Sequence, residues 1–472
     1  MKNPVKVQFL SKDEREQIFQ GALDVLEKVG VSIEDEILCK MMEKKGCEVN
    51  DKSNVVKIGK GLVRECINET NKKPVYKCIN GKELHLYGNN RYYGSLIIDP
   101  FVLDYEKGRR KAVLNDVVRH ARLGDALPLV DHIYKMEESC SDVDQRIVNL
   151  KTIEAFVSNT TTSLLCAPAS LDSLKVWVDI SEIIAGGSLF ENPILSSYVS
   201  TVSPLFLTRD VGMQLRYSVE KGVLLRGGPC QMAGATAPYT MAGSLVTGVA
   251  ETLFLLVAVQ SVRKGATFVV GMGGHSIDMK TGNVIYGGPI KGILHIGGME
   301  MAEYLNLPSN CGVFSSLSPN YGIQNGIESA LSAAFTYFCK NHIMGGMGSL
   351  GNACGVSAEQ ILIHHDMVMT LKRYDEGIKV NKETLGLKSI EKVGIRGSYL
   401  ADDLTIKYLR TGEHYLPEFC EVYRPGWDKV TMMEKVHKRV EEIIASHKPE
   451  VNQDRIELVN NYVNNKVKEV LG

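Results

Sequence analysis

The residues able to do chemistry in this 472-residue chain gather where short apolar runs end in small residues. Four glycine clusters, Gly227-Gly228-Pro229, Gly271-Met272-Gly273-Gly274, Gly287-Gly288-Pro289 and Gly345-Gly346-Met347-Gly348, would let backbone approach a ligand closely. None is followed by the Lys-Ser/Thr pair of a phosphate loop, and none has dinucleotide-fingerprint spacing. Tyrosines and phenylalanines fall among them at Tyr92, Tyr93, Phe101, Tyr105, Tyr239, Tyr286, Phe314 and Tyr321. A box of such rings attracts a quaternary ammonium through the ring quadrupoles, at about 0.5–2 kcal/mol per face. Each ring taken singly reads more readily as core.

The ionisable candidates are Arg226 before a glycine pair, His275 after another, and Asp99 between Ile98 and Pro100. Glu328 lies four residues after Gln324 in an otherwise apolar stretch, and His364-His365-Asp366 sits later. Glu251 interrupts a long apolar stretch, where a carboxylate is costly unless paired or functional. Structural pairing accounts for each of these as readily as chemistry does. No Gly-x-Ser-x-Gly elbow, His-Glu-x-x-His or Cys-x-x-Cys occurs, so nucleophilic hydrolysis and a compact zinc site lack support, and no metal is expected.

The elements that must position these groups alternate. Ser163–Ser170, Ile194–Thr201, Gly222–Met232, Thr267–Met279, Asn310–Ser318 and His342–Gly351 read as strands separated by helical patterns. Leu127–Tyr134 and the aromatic Arg91–Asp104 add earlier candidates, with Tyr105–Arg110 as a hairpin tip. Such alternation makes a parallel barrel or sheet, and a barrel gathers its chemistry at the carboxyl ends of the strands. Ser11 to Gly30 reads as a helix with Ser11 as N-cap and Glu14 at the third position. Glu34–Lys45, Asn115–Gly124 and Gly322–Lys340 are further helices, and Val55–Lys77 holds another with strand-like flanks. Pro238–Lys264 is so apolar that the barrel or a subunit partner must cover it. Val430–Gly472 reads as exposed amphipathic helices. We expect a helical N-terminal extension over 1–90, a barrel over 91–400 and a C-terminal helical segment over 401–472.

Formal net charge is −1, which gives no electrostatic footprint for nucleic acid or a membrane, and neither is expected as a partner. Eleven cysteines without regular spacing, several of them inside apolar runs (Cys166, Cys230, Cys311, Cys339), favour buried reduced thiols over a disulfide framework. The first twenty residues are too charged for a signal peptide, and the apolar stretch Thr252–Val262 reads as too short to cross a bilayer. A cytoplasmic protein is expected.

The segment Cys230–Gly271 carries Met232-Ala233-Gly234-Ala235-Thr236, Pro238, Thr240, Ala242-Gly243, Ala250-Glu251, Gln260 and Gly265-Ala266. This pattern resembles the signature of the trimethylamine methyltransferase family. Tyr105–Asp116, Ser141-Asp142-Val143, Asp278–Gly282, Ser315–Glu328 and Gly397–Arg410 resemble further family segments, although Gly322 stands where the family often has Asp. Only standard residues are present, so the chain resembles the branch without pyrrolysine.

The resemblance implies an α/β fold of TIM type, a (β/α)8 barrel. It also implies transfer of a methyl group from a quaternary amine of betaine type (proline betaine, glycine betaine or carnitine-like) to the Co(I) of a corrinoid, or cobalamin. That corrinoid is carried by a separate cognate protein, so no tightly bound cofactor is expected in this chain. A quaternary ammonium leaves as a neutral amine, so the protein needs to supply position and a water-poor mouth rather than acid–base catalysis.

On this reading the ammonium sits among Tyr93, Phe101, Tyr286, Phe314 and Tyr321, with Glu251 or Asp99 as counter-charge. Arg226, then His275, is the candidate donor to a substrate carboxylate. Glu251, His275, Gln324 and Glu328 are the candidate catalytic residues, the last two shaping the mouth. His342, or the glycine run after it, lies where the family places polar residues over the substrate. A homo-oligomer is expected. A corrinoid-independent barrel transferase, a betaine-binding barrel without turnover, and a methyltransferase for a tertiary methylamine are the competing readings.

Overall fold

The structure, a computed structural model, describes residues 6–50, 52–95, 101–137, 139–420 and 430–472. The chain opens with three helices, α1 (Lys12–Lys28), α2 (Glu36–Lys45) and α3 (Lys60–Glu69). The first begins as its sequence dictates. The Ser11 hydroxyl accepts from the Glu14 amide at 3.3 Å while the Glu14 carboxylate accepts from the Ser11 amide at 2.7 Å. Asp35 caps α2, and Gly46 closes it in the left-handed region at φ +110°. Between these helices run the short strands Val31–Ile33, Glu48–Asn50 and Val55–Lys57. They form a four-stranded sheet with Phe206–Leu207; the strand-like flank expected at Val55 is one of them, and the other strands lie where the extension reads as helix and loop.

Eight parallel strands follow: β1 (Tyr92–Gly94), β2 (Val130–Tyr134), β3 (Ser163–Cys166), β4 (Leu195–Val199), β5 (Leu224–Gly227), β6 (Phe268–Val270), β7 (Asn310–Gly312) and β8 (Ile343–Gly345). Each leads into one helix, in order α4 (Leu114–Ala126), α5 (Val148–Val157), α6 (Leu171–Ala185), α7 (Arg209–Lys221), α8 (Met241–Val262), α9 (Gly288–Tyr304), α10 (Ile323–Tyr337) and α11 (Ala358–Glu376). The Val270 amide donates to the Pro308 carbonyl at 2.9 Å, and Val270 bridges Ser309 in parallel, so the sheet closes on itself. The architecture is the TIM-type (β/α)8 barrel that the resemblance implied.

Strand alternation sorts side chains between two layers. In β5, Leu225 packs outward with α8, whereas Leu224 joins Tyr76, Val269 and Ile343. Tyr76 belongs to a hairpin, Val75–Lys77 with Glu83–His85, that plugs the amino-terminal end of the barrel. Ligand access is therefore from the carboxyl-terminal end.

Helix α8 is long and apolar enough by composition to cross a bilayer, which corrects the reading of its apolar stretch as too short. It is nonetheless a core helix. The extension helices α1, α2 and α3 pack over it, together with α7 and α9, so this chain itself covers the face for which a subunit partner had been considered. Beyond the barrel lie α12 (Leu387–Val393), α13 (Asp403–Tyr408), α14 (Met432–Ser446) and α15 (Gln453–Leu471). Helix α14 packs on α4 and α11, and α15 on α5 and α6, while α12 and α13 bury no residue.

Candidate active site

A cavity of about 330 Å³ opens at the carboxyl ends of β6 and β7. Its walls come from the Gly271–Gly273 turn, from Asn310, Cys311 and Gly312 on β7, from Tyr198 on β4, and from one face of α9. That face presents Lys291, His295, Gly298 and Met299, residues spaced three and four apart and hence stacked along one side of the helix. The close fit of α9 against the turn is what the glycines permit. A Cβ on Gly273 would lie 2.6 Å from the His295 ring, and one on Gly298 would lie 2.5 Å from the Met272 backbone.

The hairpin His275–Ile277 with Val284–Ile285 folds over one side of the cavity. The His275 and Tyr286 rings meet edge to face at 4.5 Å, and His275 lies 5.4 Å from the His295 ring. Asn352 clamps this hairpin, accepting from the Tyr286 amide at 2.8 Å and donating to the Val284 carbonyl at 2.7 Å. The phenol of Tyr286 meets the Cys230 thiol at 3.6 Å. Phe314 stacks on His364 at 4.4 Å and presents to the cavity.

The electrostatics of the site are set by burial. Lys291 is 5% exposed, and its ammonium donates to the Ser315 hydroxyl at 2.8 Å. Desolvation pushes its pKa down to about 8. Burial, then the charge of Lys291, holds His275 down at about 3, and the same two causes hold His295 well below the ordinary histidine range. Both imidazoles are neutral at pH 7. Nδ1 of His275 is buried without a hydrogen-bond partner, whereas Nδ1 of His295 contacts the Cys311 sulfur at 3.2 Å. Burial pushes the Cys311 thiol up to about 12, so it stays protonated. Among the described residues, no aspartate or glutamate lines the cavity.

Of the aromatic and ionisable residues singled out in the sequence, the cavity brings together His275, Tyr286 and Phe314, beside the Gly271–Gly273 turn. Tyr93 lies outside it. Alternation along β1 turns Tyr92 toward the plugged barrel interior and Tyr93 outward, where it stacks on Tyr337 of α10 at 6.3 Å. The Phe101 ring already carries a cation, the guanidinium of Arg109 at 3.8 Å. The hydroxyl of Tyr321 bonds Ser357 at 2.5 Å and reaches Glu359 at 3.3 Å, away from the cavity walls. Asp99 falls outside the described residues.

Glu251 is fully buried but turned to the loop after β4. It accepts from the Thr201 hydroxyl at 2.6 Å and from the Ser203 hydroxyl and Leu205 amide at 2.7 Å each. Gln324 donates to Glu328 at 3.0 Å, and Glu328 in turn accepts from Ser316 and Leu317. This pair therefore braces the segment that follows Ser315 rather than reaching the cavity. Arg226 points into the barrel beside Tyr198, its partner on the neighbouring strand, 0% exposed, with all three guanidinium nitrogens unpartnered and its carbon 5.7 Å from the Tyr76 ring centroid. It does not line the cavity, so the cationic group that does is Lys291. His342 accepts from the Ser309 amide at 3.1 Å from its place just before β8, at the far end of that strand from the mouth.

Lys291, His295 and Cys311 carry no motif. The signal that was available is a lysine and a histidine four apart in the otherwise apolar first turns of α9.

A sequence profile described as "Trimethylamine methyltransferase (MTTB)" matches residues 1–471. The trimethylamine methyltransferase MttB of Desulfitobacterium hafniense is 28% identical over 411 residues, covering 85% of this chain and 82% of the relative. A glycine betaine methyltransferase of the same species is 23% identical over 458 residues, covering 94% of each chain. Among solved structures, the Methanosarcina barkeri monomethylamine methyltransferase superposes over all of this chain and 90% of its own, with a TM-score of 0.55 at 12% identity, a likeness of fold.

Proposed function

This chain belongs to the trimethylamine methyltransferase family, and from that premise we propose that it moves a methyl group from a quaternary amine of betaine type to the Co(I) of a corrinoid held by a separate protein. In that step the cobalt electron pair forms the bond to the methyl carbon. The C–N bond breaks with its electrons going to nitrogen, and a neutral tertiary amine leaves. No proton has to move. The chain's task is to hold the methyl carbon at the mouth, in line with a nucleophile arriving from outside, and to keep water away.

The observation that carries this reading is the composition of the cavity. The rings of Tyr198, Tyr286 and Phe314 adjoin two neutral imidazoles and one ammonium, with no carboxylate among the described lining residues. General acid–base machinery needs a group titrating near neutrality within reach of the substrate. Among the described lining residues only Lys291, at about 8, approaches that range, and the proposed step gives it no proton to move, whereas His275 and His295 are held neutral far from theirs. The likeness over 94% of each chain to a glycine betaine methyltransferase supports the same substrate class.

The test is spectroscopic. The purified protein is mixed with free cob(I)alamin and, in separate reactions, glycine betaine, proline betaine, carnitine and trimethylamine, while the Co(I) band is followed. Conversion to methyl-cobalt with a betaine is expected. Tight betaine binding with no conversion would make this an idle binding barrel, and conversion with trimethylamine alone would make it a tertiary-amine enzyme.

A further inference from the structure

Among the described residues lining the cavity, Lys291 is the one formally charged side chain, and its hydrogen-bond partner there, Ser315, is neutral. A buried cation without a counter-ion is costly, and in a binding cavity it is a demand for an anionic ligand group. It also repels a ligand that is only a cation. A zwitterion satisfies both conditions, because its carboxylate meets Lys291 while its ammonium turns to ring faces. No cation of the described residues lies over the Tyr286 or Phe314 ring; His364 stacks on one face of Phe314, which leaves its other face for that role, and His275 meets Tyr286 edge to face.

We propose that Lys291 is the specificity-determining residue of this site, binding the substrate's carboxylate and thereby selecting carboxylate-bearing quaternary amines over those that lack one. This rests on the methyl-transfer reading given above. Ser315 orients the ammonium from one side, and α9 fixes its stem one turn from His295. The titratable groups facing Lys291 are the imidazoles of His275 and His295 and the thiols of Cys230 and Cys311, with Tyr286 beside them. Burial keeps both imidazoles deprotonated and the Cys311 thiol and Tyr286 phenol protonated at pH 8.5, and it raises the Cys230 thiol above its ordinary value. Protons exchanged on binding near that pH therefore belong to Lys291.

Two measurements test the assignment. In the first, glycine betaine and its carboxylate-free counterpart choline are titrated into the wild-type protein and Lys291→Met by calorimetry. The wild type is expected to prefer the betaine by about 100-fold or more, and the variant to lose most of that preference. A variant that keeps the preference overturns the proposal. The second measurement needs no variant. Glycine betaine binding to the wild type at pH 8.5, in buffers of different ionisation heat, is expected to take up a substantial fraction of one proton, and choline none. Equal uptake for both, or none for either, overturns the proposal.

The two readings fail separately. Betaine demethylation with discrimination retained in Lys291→Met sinks only the role of Lys291. Lysine-dependent betaine binding without any methyl-cobalt sinks only the transfer reading. A wild type that does not bind the betaine sinks the proposal as well.

Discussion

Glu328 holds Ser316 by its hydroxyl at 2.8 Å and the next residue, Leu317, by its amide at 2.7 Å. Ser316 directly follows the Ser315 that receives Lys291, so a carboxylate on α10 fixes the segment that orients the ammonium in the cavity. Replacing Glu328 with alanine leaves these donors without their acceptor, at a cost of about 1–3 kcal/mol in stability. The KM for the accepted amine should rise more than kcat falls. Glu328→Gln, which keeps one acceptor oxygen, should recover most of both. Denaturant unfolding and steady-state kinetics on the two variants check this. Unchanged KM in Glu328→Ala would separate the brace from the site.

The pH profile follows from Lys291. Binding a carboxylate needs its proton, and its pKa lies at about 8 against an ordinary 10.5. For a betaine, kcat/KM should be level below that value and fall about tenfold per unit above it, while a carboxylate-free amine should show no such fall. Stability moves the other way. The unfolded chain holds this proton up to 10.5 whereas the folded chain releases it from about 8, so the burial penalty of this group is relieved as pH rises between those values. Parallel kinetic and unfolding measurements from pH 7 to 10 check both signs.

Arg226 makes the opposite kind of prediction. Its guanidinium is buried without a partner, and burial lowers its pKa to about 10, which leaves it charged at neutral pH. Arg226→Met fills a similar shape without the charge and is expected to be neutral or stabilising by about 1–4 kcal/mol. Betaine affinity should stay within threefold of wild type, because Arg226 does not line the cavity. A large loss of affinity would return the carboxylate-binding role to Arg226.

Much of the barrel was legible in the sequence because its strands are covered on both faces. Runs such as Ser163–Cys166 and Leu195–Val199 are then apolar or small throughout and bounded by loops. Helix ends were legible where a cap is local, as at Ser11 with Glu14. The sheet of the N-terminal extension was not, since Ser32 pairs with Phe206 across the sequence and its strands are two or three residues long. At the site, one residue of register decides between Tyr92 facing inward and Tyr93 stacking outward. Lys291 and His295 stayed hidden because a cavity-facing side of α9 looks like a core-facing side until the barrel closes against it.

The histidines set a limit on the chemistry. With His275 and His295 neutral, neither is an imidazolium acid at pH 7, and His275→Ala or His295→Ala should retain turnover with free cob(I)alamin within about tenfold of wild type. General acid–base roles are worth about 10²–10⁴ in rate, so a loss of that size in either variant would overturn pure positioning. The free Nδ1 of His275 makes its variant the one expected to shift KM.

Glu251 provides the last prediction. In the sequence a carboxylate inside an apolar helix looked like a counter-charge for an ammonium, but its oxygens are taken by Thr201, Ser203 and Leu205 in the loop after β4. Those three bonds tie a loop to a core helix, and their loss is a stability event. Glu251→Ala strands a buried hydroxyl and a backbone amide and should cost about 3 kcal/mol or more. Glu251→Gln should cost less, since the hydroxyls can turn to accept from its amide. Turnover per folded molecule should be close to wild type in Glu251→Gln, because Glu251 reaches no wall of the cavity. Unfolding curves on both variants, with turnover normalised to the folded fraction, make the comparison. A Glu251→Gln protein that is as stable as wild type yet a hundredfold slower would place this carboxylate in the reaction after all.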